Sequence, residues 1–389
     1  MDKIVRFIDC AVPVLTCNLR CKYCYITQQR KFLNALPVFS HDAKYLRKAL
    51  SKERLGGIAH LNMCGGGETL MPPEMIDILR ELLEEGHYIA VVTNGTMSNR
   101  FDEIIKFPKE LLERLMFKFS FHYLEFKRLG WFDKFFENIE KVKNAGCSFS
   151  VEITPSDELI PEIPDLKKMC MERLGALCHV TVARDETDPK LPILTELSKE
   201  DYLKTWGQFD SDLFAFKMKT FYVKRKEFCY GGLWTAYLNL GTGLMRQCYC
   251  GKTITNIFKN IDKPIKFTPI GKHCMEPHCH NSHVWLTLGA IPSLETPTYA
   301  MMRNRVTIDG SEWLNPKMKA FLSQKLKDNN DELDLKQQKK INRKSGIYTK
   351  FSGVYLKTGR FVKKLIPSKI KIKHAKKMHD KTKKYEDEN

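Results

Sequence analysis

Residues 17–25 read Cys-Asn-Leu-Arg-Cys-Lys-Tyr-Cys-Tyr, directly after a run of β-forming residues at 4–15. The spacing C-x3-C-x2-C of Cys17, Cys21 and Cys24 puts three thiolates in one short loop, where they can surround a single metal centre. A structural zinc ion or a closed iron–sulfur cluster normally takes four protein ligands. Three thiolates leave one position open for an outside ligand, so the pattern favours a reactive iron–sulfur cluster. A zinc site completed by a distant Cys or His is the alternative.

Short β-forming runs alternate with amphipathic helical stretches along residues 1–210. The predicted strands are residues 4–15, 58–64, 88–93, 115–122, 148–154 and 178–183. The predicted helices between and after them are residues 42–54, 75–83, 102–115, 132–142, 164–174 and 197–206. Six strand–helix units predict an α/β fold with a parallel sheet, either a partial (βα)6 TIM-like barrel or a doubly wound sheet. Such sheets place their active sites at the carboxyl ends of the strands.

Glycine and polar residues follow three of the predicted strands at those ends. They are Cys64, Gly65, Gly66, Gly67 and Glu68 after the second strand, Asn94 and Gly95 after the third, and Ser120 and His122 after the fourth. Consecutive glycines let a backbone approach a ligand closely, and an adjacent carboxylate can accept hydrogen bonds from an ammonium group. A plain turn would explain a glycine run by itself. Here, however, the run follows the strand that comes next after the cysteine loop.

These motifs resemble those of the radical SAM superfamily, whose core is a partial (βα)6 barrel, and the resemblance covers residues 1–210. It implies that the three thiolates hold a [4Fe–4S] cluster and that S-adenosylmethionine (SAM) binds the fourth iron through its amino and carboxylate groups. The glycine run would hold the methionine moiety, with Glu68 near its ammonium group. Tyr23 would pack near the adenine, and Ser120 would meet the ribose or the carboxylate. Asn94 belongs to the same expected cofactor-binding set.

The resemblance also implies an activity. One electron from a flavodoxin- or ferredoxin-type donor would cleave SAM, and the resulting 5′-deoxyadenosyl radical would abstract a substrate hydrogen. The expected outcome is oxidation, crosslinking or epimerisation of a peptide or sugar-like substrate, although a fold does not identify a substrate. The alternative from another class is a non-catalytic zinc-binding scaffold protein.

Residues 211–300 have weaker periodicity and more turn and cysteine residues, which predicts a smaller, loop-rich domain. Cys229, Gly243 and Cys248 have the spacing C-x13-G-x4-C, which resembles the start of the SPASM/twitch domain. The remaining cysteine pattern of a full SPASM domain is missing, so the resemblance implies a shortened domain with one auxiliary [4Fe–4S] cluster. Its expected ligands are Cys229, Cys248, Cys274 and Cys279, with Cys250 as a replacement for one of them. A structural zinc suits four thiolates equally well.

The other cysteines and strand-end polar residues carry weaker signals. Cysteines expected to be buried in apolar surroundings are Cys10, Cys147, Cys170 and Cys178. Cys64 is also assigned to packing, although its place at a strand end could bring its thiol near the substrate. Candidate substrate-facing residues are His122, Glu152, Thr154, Arg184 and Asp185, for which solvation in a loop is the alternative.

The net charge of +18 over 389 residues is concentrated at the C-terminal end of the chain. Residues 335–389 hold 18 Lys/Arg against 4 Asp/Glu, a net of +14, which leaves +4 for residues 1–334. We expect residues 301–389 to form a helical extension, over 301–334, followed by a basic tail. The tail is either solvated or in contact with anionic lipid or another polyanion. No recognised nucleic-acid-binding motif accompanies it, so no specific nucleic acid is expected.

The 13 cysteines are clustered and odd in number, which favours metal ligation over a disulfide scaffold. The first 16 residues fit a signal peptide poorly, and no run approaches the roughly 18 apolar residues of a spanning helix. We therefore expect a cytoplasmic protein, with peripheral membrane contact through the tail as a further expectation.

Overall fold

The computed structural model describes the backbone of residues 2–279 and 281–365, and the side chains of these residues up to 350. Met1–Asp334 forms one compact unit and Leu335–Asn389 a second. The predicted domain boundaries at residues 210 and 300 stay predictions, since both fall inside the first unit. Residues 366–389 of the predicted basic tail lie outside the described residues.

The described residues form one sheet of nine strands. The strands are β1 (Arg6–Val12), β2 (Ala59–Gly65), β3 (Tyr88–Thr93), β4 (Leu115–Ser120), β5 (Ser148–Ile153), β6 (His179–Val180), β7 (Thr235–Asn239), β8 (Leu244–Arg246) and β9 (Thr253–Asn256). The helices of the first unit are α1 (Tyr25–Gln28), α2 (Ala43–Ala49), α3 (Lys52–Leu55), α4 (Met75–Glu84), α5 (Ser98–Ile104), α6 (Lys109–Leu112), α7 (Tyr123–Leu129), α8 (Phe132–Asn144), α9 (Ile163–Leu174), α10 (Lys199–Gly207), α11 (Asp212–Thr220), α12 (Ser282–Trp285) and α13 (Pro316–Leu322). The second unit contains α14 (Leu335–Leu365).

The strand order is β6-β5-β4-β3-β2-β1-β7-β8-β9. Strands β1 to β6 are parallel and advance in one direction, as in a barrel, whereas a doubly wound sheet reverses direction at a switch point. The α/β fold and the partial-barrel alternative are therefore confirmed, and the six predicted strands are present. Strand β7 adds to the free edge of β1 in parallel, and β8 and β9 follow it in antiparallel order.

The two faces of this sheet differ in chemistry because successive side chains of a strand point to opposite sides. One face is apolar and packs in the main hydrophobic core; its buried residues include Ile8, Leu61, Met63, Ile89, Val91, Phe117, Phe119 and Val151. The other, which we call the inner face, carries polar side chains in register across the strands; these include Asp9, His60, Asn62, Lys118, Ser150, Glu152 and His179. All of these inner-face residues except the half-buried Glu152 are buried, so the sheet has a polar interior.

The prediction of one continuous helix over residues 102–115 is wrong, because two short helices, α5 and α6, occupy this region. Pro108 lies between them as the N-cap of α6. A proline disfavours helical geometry in the residue before it and donates no backbone hydrogen bond, so the helix stops and restarts there.

The expectation that residues 301–334 are mainly helical is also wrong. Among the described residues of this range, α13 and a single 3-10 turn at Leu326–Asp328 are the helical elements. Residues 305–313 instead form a tight loop, with a bridge between Val306 and Glu312 and with Gly310 at φ +82°. That backbone conformation favours glycine and ends helical propagation.

Within the part of the chain that the structure describes, no helix is both long enough and apolar enough to span a membrane.

Candidate functional site

The cysteine loop leaves the carboxyl end of β1 and lies against the glycine run that follows β2. The backbone N–H of Gly67 donates to the carbonyl oxygen of Val14 at 2.7 Å, and that of Glu68 donates to the carbonyl oxygen of Thr16 at 3.0 Å. These two bonds fix the segment just before Cys17 to the neighbouring strand end. The predicted juxtaposition of the two motifs is therefore a feature of the fold.

Each glycine of the run is in close contact with this segment on the side where a side chain would be. A Cβ atom on Gly65 would lie 2.5 Å from Cγ1 of Val14, and one on Gly66 would lie 2.7 Å from Cδ2 of Leu15. A Cβ atom on Gly67 would lie 2.0 Å from the carbonyl oxygen of Thr16. The glycines are thus needed for the approach of residues 14–16. The close neighbour that requires glycine here is therefore the chain itself, whether or not a ligand is bound.

Glu68 is buried, and its carboxylate connects the ends of β2 and β3. Oε1 accepts hydrogen bonds from the Thr93 hydroxyl at 2.7 Å and from the Leu70 N–H at 3.0 Å, while Oε2 accepts from the Asn94 N–H at 2.8 Å. A carboxylate offers about four acceptor positions, so these bonds leave roughly one for a further donor such as an ammonium group. The predicted contact with the SAM ammonium stays a prediction, and the carboxylate has a structural task beside it.

Asn94 joins the end of β3 to the cysteine loop. Its Nδ2 donates to Oδ1 of Asn18 at 2.8 Å and lies 3.8 Å from Sγ of Cys17. Its Oδ1 accepts from both the N–H and the hydroxyl of Thr96. The amide is therefore held in one orientation, with its N–H groups toward the first thiol of the motif.

Tyr23 lies on the opposite side of the loop, against the end of β4. Its hydroxyl is 2.6 Å from Nδ1 of His122, and the two rings are stacked with centroids 6.0 Å apart. Ser120 is half-buried in the same region and is in register with Glu152 of β5. Of the strand-end candidates, His122 is thus brought to the cysteine loop, and Ser120 and Glu152 lie side by side on the inner face.

The thiols of the cysteine loop are partly or fully enclosed. Burial raises the pKa of Cys17 to about 11 and raises that of Cys21 above its usual range. Thiolates are the form that binds iron, so these cysteines need a bound cation to stay ionised. Within the described residues no group of three or more His, Cys, Asp or Glu side chains is arranged to hold a single metal ion. The N–H of Leu19 and Nδ2 of Asn94 nevertheless point at Sγ of Cys17, as hydrogen-bond donors to a ligating thiolate would.

A second set of cysteines is gathered around the segment that follows β8, where Cys248 and Cys250 lie. Sγ of Cys250 is 3.9 Å from Sγ of Cys274, and Cys248 also hydrogen bonds to Cys250. The thiols of Cys229 and Cys279 interact electrostatically with this group, and both residues are half-buried. The five cysteines of the predicted second domain therefore lie in one region, with Cys250 and Cys274 in contact.

Local backbone geometry explains the sequence pattern of this second set. Gly243 lies in the turn between β7 and β8 at φ +69°, and a Cβ atom there would be 2.5 Å from the ring of Phe258. Hydrogen bonds from the thiols of Cys248 and Cys274, and from the backbone N–H groups of Met275 and Glu276, lower the pKa of Cys250. The glycine of the C-x13-G-x4-C pattern is thus required by the turn that positions Cys248 and Cys250.

Tyr249 stands between Cys248 and Cys250 and reaches the inner face of the sheet. Its hydroxyl donates to Oδ2 of Asp9 on β1 and accepts from the side-chain amide of Asn281. Oδ1 of Asp9 accepts from Nδ2 of Asn62 at 2.7 Å. Sequence reasoning missed this link because Asp9 and Tyr249 are 240 residues apart. The available signal was an acidic residue inside an otherwise apolar strand.

The remaining candidates separate into buried and loop residues. Cys10, Cys147, Cys170 and Cys178 are buried, as predicted. Cys64 is half-buried at the end of β2 on the inner face. Thr154 is half-buried just beyond β5. Asp185 accepts hydrogen bonds from the N–H and the hydroxyl of Thr187, and Arg184 forms an ion pair with Glu186 at 2.7 Å. Both residues therefore make contacts within their own loop.

Residues 12–155 match the sequence profile of the radical SAM superfamily. This range contains the cysteine loop, the glycine run and strands β2 to β5, so the chain contains a radical SAM domain. No curated protein has significant sequence similarity to the chain.

Solved structures to which this chain is similar include SuiB from Streptococcus suis, with 13% identity, a TM-score of 0.45 and coverage of 67% of this chain and 65% of SuiB. The chain thus spans slightly less than two thirds of the length of SuiB. Native anSMEcpe with bound AdoMet and the Cp18Cys peptide has 16% identity and a TM-score of 0.43, over 65% of this chain and 78% of that one. BtrN in complex with AdoMet and 2-DOIA has 13% identity and a TM-score of 0.31, over 67% and 82% of the two chains.

Proposed function

We propose that the protein is a radical SAM enzyme whose [4Fe–4S] cluster is held by Cys17, Cys21 and Cys24. The observation that carries the proposal is the packing of this three-thiolate loop on the glycine run and Glu68, inside the segment that matches the superfamily. When bound, the cluster and SAM supply a 5′-deoxyadenosyl radical after transfer of one electron from an external donor of the flavodoxin or ferredoxin type, and this radical abstracts a substrate hydrogen.

The side chains around the loop have roles that follow from their contacts. Glu68 holds the β3 turn in place and has room for one further donor, which we assign to the SAM ammonium group. Asn94 orients its amide toward the first thiol. Tyr23 is fixed by His122, and we assign it to the adenine side of the cofactor. Ser120, at the end of β4, is assigned to the ribose or carboxylate.

We further propose that the second set of cysteines holds one auxiliary [4Fe–4S] cluster, as in a shortened SPASM/twitch domain. The meeting of Cys229, Cys248, Cys274 and Cys279 with Cys250 supports a multi-thiolate site. The 3.9 Å contact between the thiols of Cys250 and Cys274 makes Cys250 a candidate ligand in place of one of the four. Tyr249 then connects this site to the interior of the sheet.

The substrate class that we propose is a peptide or sugar-like molecule, with oxidation, crosslinking or epimerisation as the outcome. SuiB bound to its precursor peptide SuiA, and anSMEcpe bound to the Cp18Cys peptide, illustrate peptide substrates among proteins of similar fold. The polar inner face, on the side of the sheet away from the apolar core, supplies hydrogen-bonding and charged groups that suit such a molecule.

Anaerobic purification followed by metal analysis tests the proposal against a zinc-binding scaffold. We expect a brown protein with iron in excess of zinc and with charge-transfer absorption from thiolate to iron. A colourless protein that holds stoichiometric zinc after anaerobic reconstitution would contradict the proposal and support the scaffold instead.

A further inference from the structure

Three cations are buried over the inner face of the sheet. Lys118 lies on β4, Lys217 on α11 and Arg303 in the loop that precedes α13, and their exposed fractions are 3%, 3% and 0%. We call these residues the basic cluster. Lysine and arginine are almost never buried to this extent unless a counter-charge is present.

The partners of the basic cluster supply less negative charge than the cluster carries. Nη1 of Arg303 donates to Oε2 of Glu152 at 2.8 Å, which is a buried ion pair. Nζ of Lys217 donates to the neutral hydroxyl of Thr181 at 2.8 Å. Nζ of Lys118 donates to the neutral hydroxyl of Tyr299 at 3.5 Å. Two of the three cations therefore have uncharged hydrogen-bond partners.

The second carboxylate of the inner face does not remove this imbalance. Asp9 is already hydrogen bonded to Tyr249 and Asn62, and it interacts with Lys118 through electrostatics. When both carboxylates are ionised and Lys217 is protonated, the three cations exceed Asp9 and Glu152 by one charge, and without an anion Lys217 relieves this excess by losing its proton. A buried charge without compensation is unfavourable, so an anion at this place would stabilise the folded protein.

Hydrogen-bond donors are also left over in the cluster. Nε and Nη2 of Arg303 are buried donors without a hydrogen-bond partner within the described residues. Nδ1 of His283, which donates or accepts according to the tautomer of the ring, is also buried without a partner there. His283 interacts electrostatically with all three members of the basic cluster. The fork of the guanidinium matches the two oxygens of a carboxylate or a phosphate.

The basic cluster lies close to the carboxyl ends of the strands. Glu152, the partner of Arg303, is in register with Ser120, the last residue of β4. Lys118 is two residues earlier on that strand, or about 7 Å along it. The cysteine loop leaves the same edge of the sheet, after β1. An anion on the basic cluster would therefore lie on the inner face, near the edge of the sheet that the cysteine loop leaves.

We propose that Lys118, Lys217 and Arg303 bind an anionic group of the substrate, a carboxylate or a phosphate, in the interior of the sheet. The proposal rests on the proposed function and adds to it the charge of the substrate. A peptide would meet the requirement through its C-terminus or an acidic side chain, and a sugar through a carboxylate or phosphate substituent.

The first test measures the binding of inorganic phosphate to the full-length, cluster-loaded protein by isothermal titration calorimetry. We compare the wild type with Lys217→Met and with the matched control Lys219→Met, which changes an exposed lysine on the same helix. Binding should weaken at least tenfold in Lys217→Met and stay unchanged in Lys219→Met. Basic residues elsewhere contribute equally to both variants. Equal affinity in the two variants, or no binding to the wild type, would overturn the proposal.

A second variant guards against a folding defect. Arg303→Gln combined with Glu152→Gln removes one cation and one carboxylate together, so no buried partner is left with an unpaired charge. Circular dichroism should show retained structure, and phosphate binding should again weaken at least tenfold. Wild-type affinity in this folded double variant would contradict the assignment of Arg303.

A competition experiment separates an anionic substrate group from the carboxylate of SAM itself. Phosphate is titrated into the wild type with and without saturating SAM. Unchanged phosphate binding supports a substrate subsite. Loss of phosphate binding would show that the basic cluster holds the SAM carboxylate and would overturn the proposal. Failure of the wild type to cleave SAM would contradict the proposed function. The phosphate titrations would still show whether the basic cluster binds an anion.

Discussion

Glu68 shows how one buried carboxylate can serve both the fold and a cofactor. It is 2% exposed and accepts hydrogen bonds from the hydroxyl of Thr93 and the N–H groups of Leu70 and Asn94. The bonds tie the turn after β3 to the strand that carries the glycine run. From sequence, the carboxylate next to the glycines could be found, but its three donors come from contacts that spacing does not reveal.

Glu68→Gln should therefore destabilise the fold as well as weaken SAM binding. One oxygen becomes an amide N–H group that faces a donor, and a buried unsatisfied donor costs about 1–3 kcal/mol. Anaerobic urea unfolding measures the change. The control is Glu158→Gln, because Glu158 pairs with Lys22 at the surface and such pairs contribute at most about 1 kcal/mol. Equal effects of both substitutions would contradict this account of Glu68.

The titration of Lys217 should make the stability of the folded protein depend on pH. Its pKa is lowered to about 7, because burial disfavours the ammonium form and Arg184 adds like charge, while Glu152 acts in the opposite direction. His283 also faces this group. Between pH 7 and the ordinary pKa of 10.5, the unfolded chain binds a proton that the folded chain lacks. Stability therefore rises with pH through this window.

The expected slope from Lys217 is up to about 1.4 kcal/mol of unfolding free energy per pH unit. Urea unfolding of the wild type and of Lys217→Met at pH 7.5 and about pH 9, in phosphate-free buffer, measures it. The slope should be smaller in Lys217→Met and retained in Lys219→Met. A slope that is the same in all three proteins would show that Lys217 keeps its proton in the fold.

At the scale of elements, the glycine run and the cysteine loop form one unit. Gly67→Ala would bring a Cβ atom to 2.0 Å from the backbone of Thr16, which cannot move without displacing the first cysteine. We expect the variant to lose most of the iron of the N-terminal site and most SAM cleavage. The matched control is Gly207→Ala at the end of α10, where a Cβ atom meets nothing within 4 Å. Wild-type iron content in Gly67→Ala would contradict this contact.

The elements that sequence could predict are those with local signals. The strands β1 to β5 and the helix α4 follow from apolar runs and helical periodicity, and the break at Pro108 could have been read from the same rules. Strand β7 could not, because its place beside β1 depends on residues more than 200 positions apart. The basic cluster was missed for the same reason, although Lys118 inside the apolar strand Leu115–Ser120 was a local signal.

At the scale of the whole molecule, the basic tail can be tested separately from the chemistry. Deletion of residues 349–389 removes 13 Lys/Arg and 4 Asp/Glu and none of the proposed ligands. The truncated protein should therefore keep its iron–sulfur cluster content and its SAM cleavage. If the tail meets an anionic surface, co-sedimentation with acidic liposomes should depend on it.

Such binding should be strong at low salt and fade as salt rises, because the screening length is about 8 Å at physiological ionic strength. Each well-placed basic residue contributes up to about 1 kcal/mol. Equal co-sedimentation of intact and truncated protein at every salt concentration would reduce the tail to a solvated extension.

The central claim concerns the three-thiolate loop, and its most direct test is the formation of 5′-deoxyadenosine from SAM under reducing, anaerobic conditions. The wild type should form this product. The variant Cys17→Ala/Cys21→Ala/Cys24→Ala should form none while it keeps about half of the iron, on the basis of two cysteine-ligated clusters. Formation of 5′-deoxyadenosine by the triple variant at the wild-type rate would contradict the account.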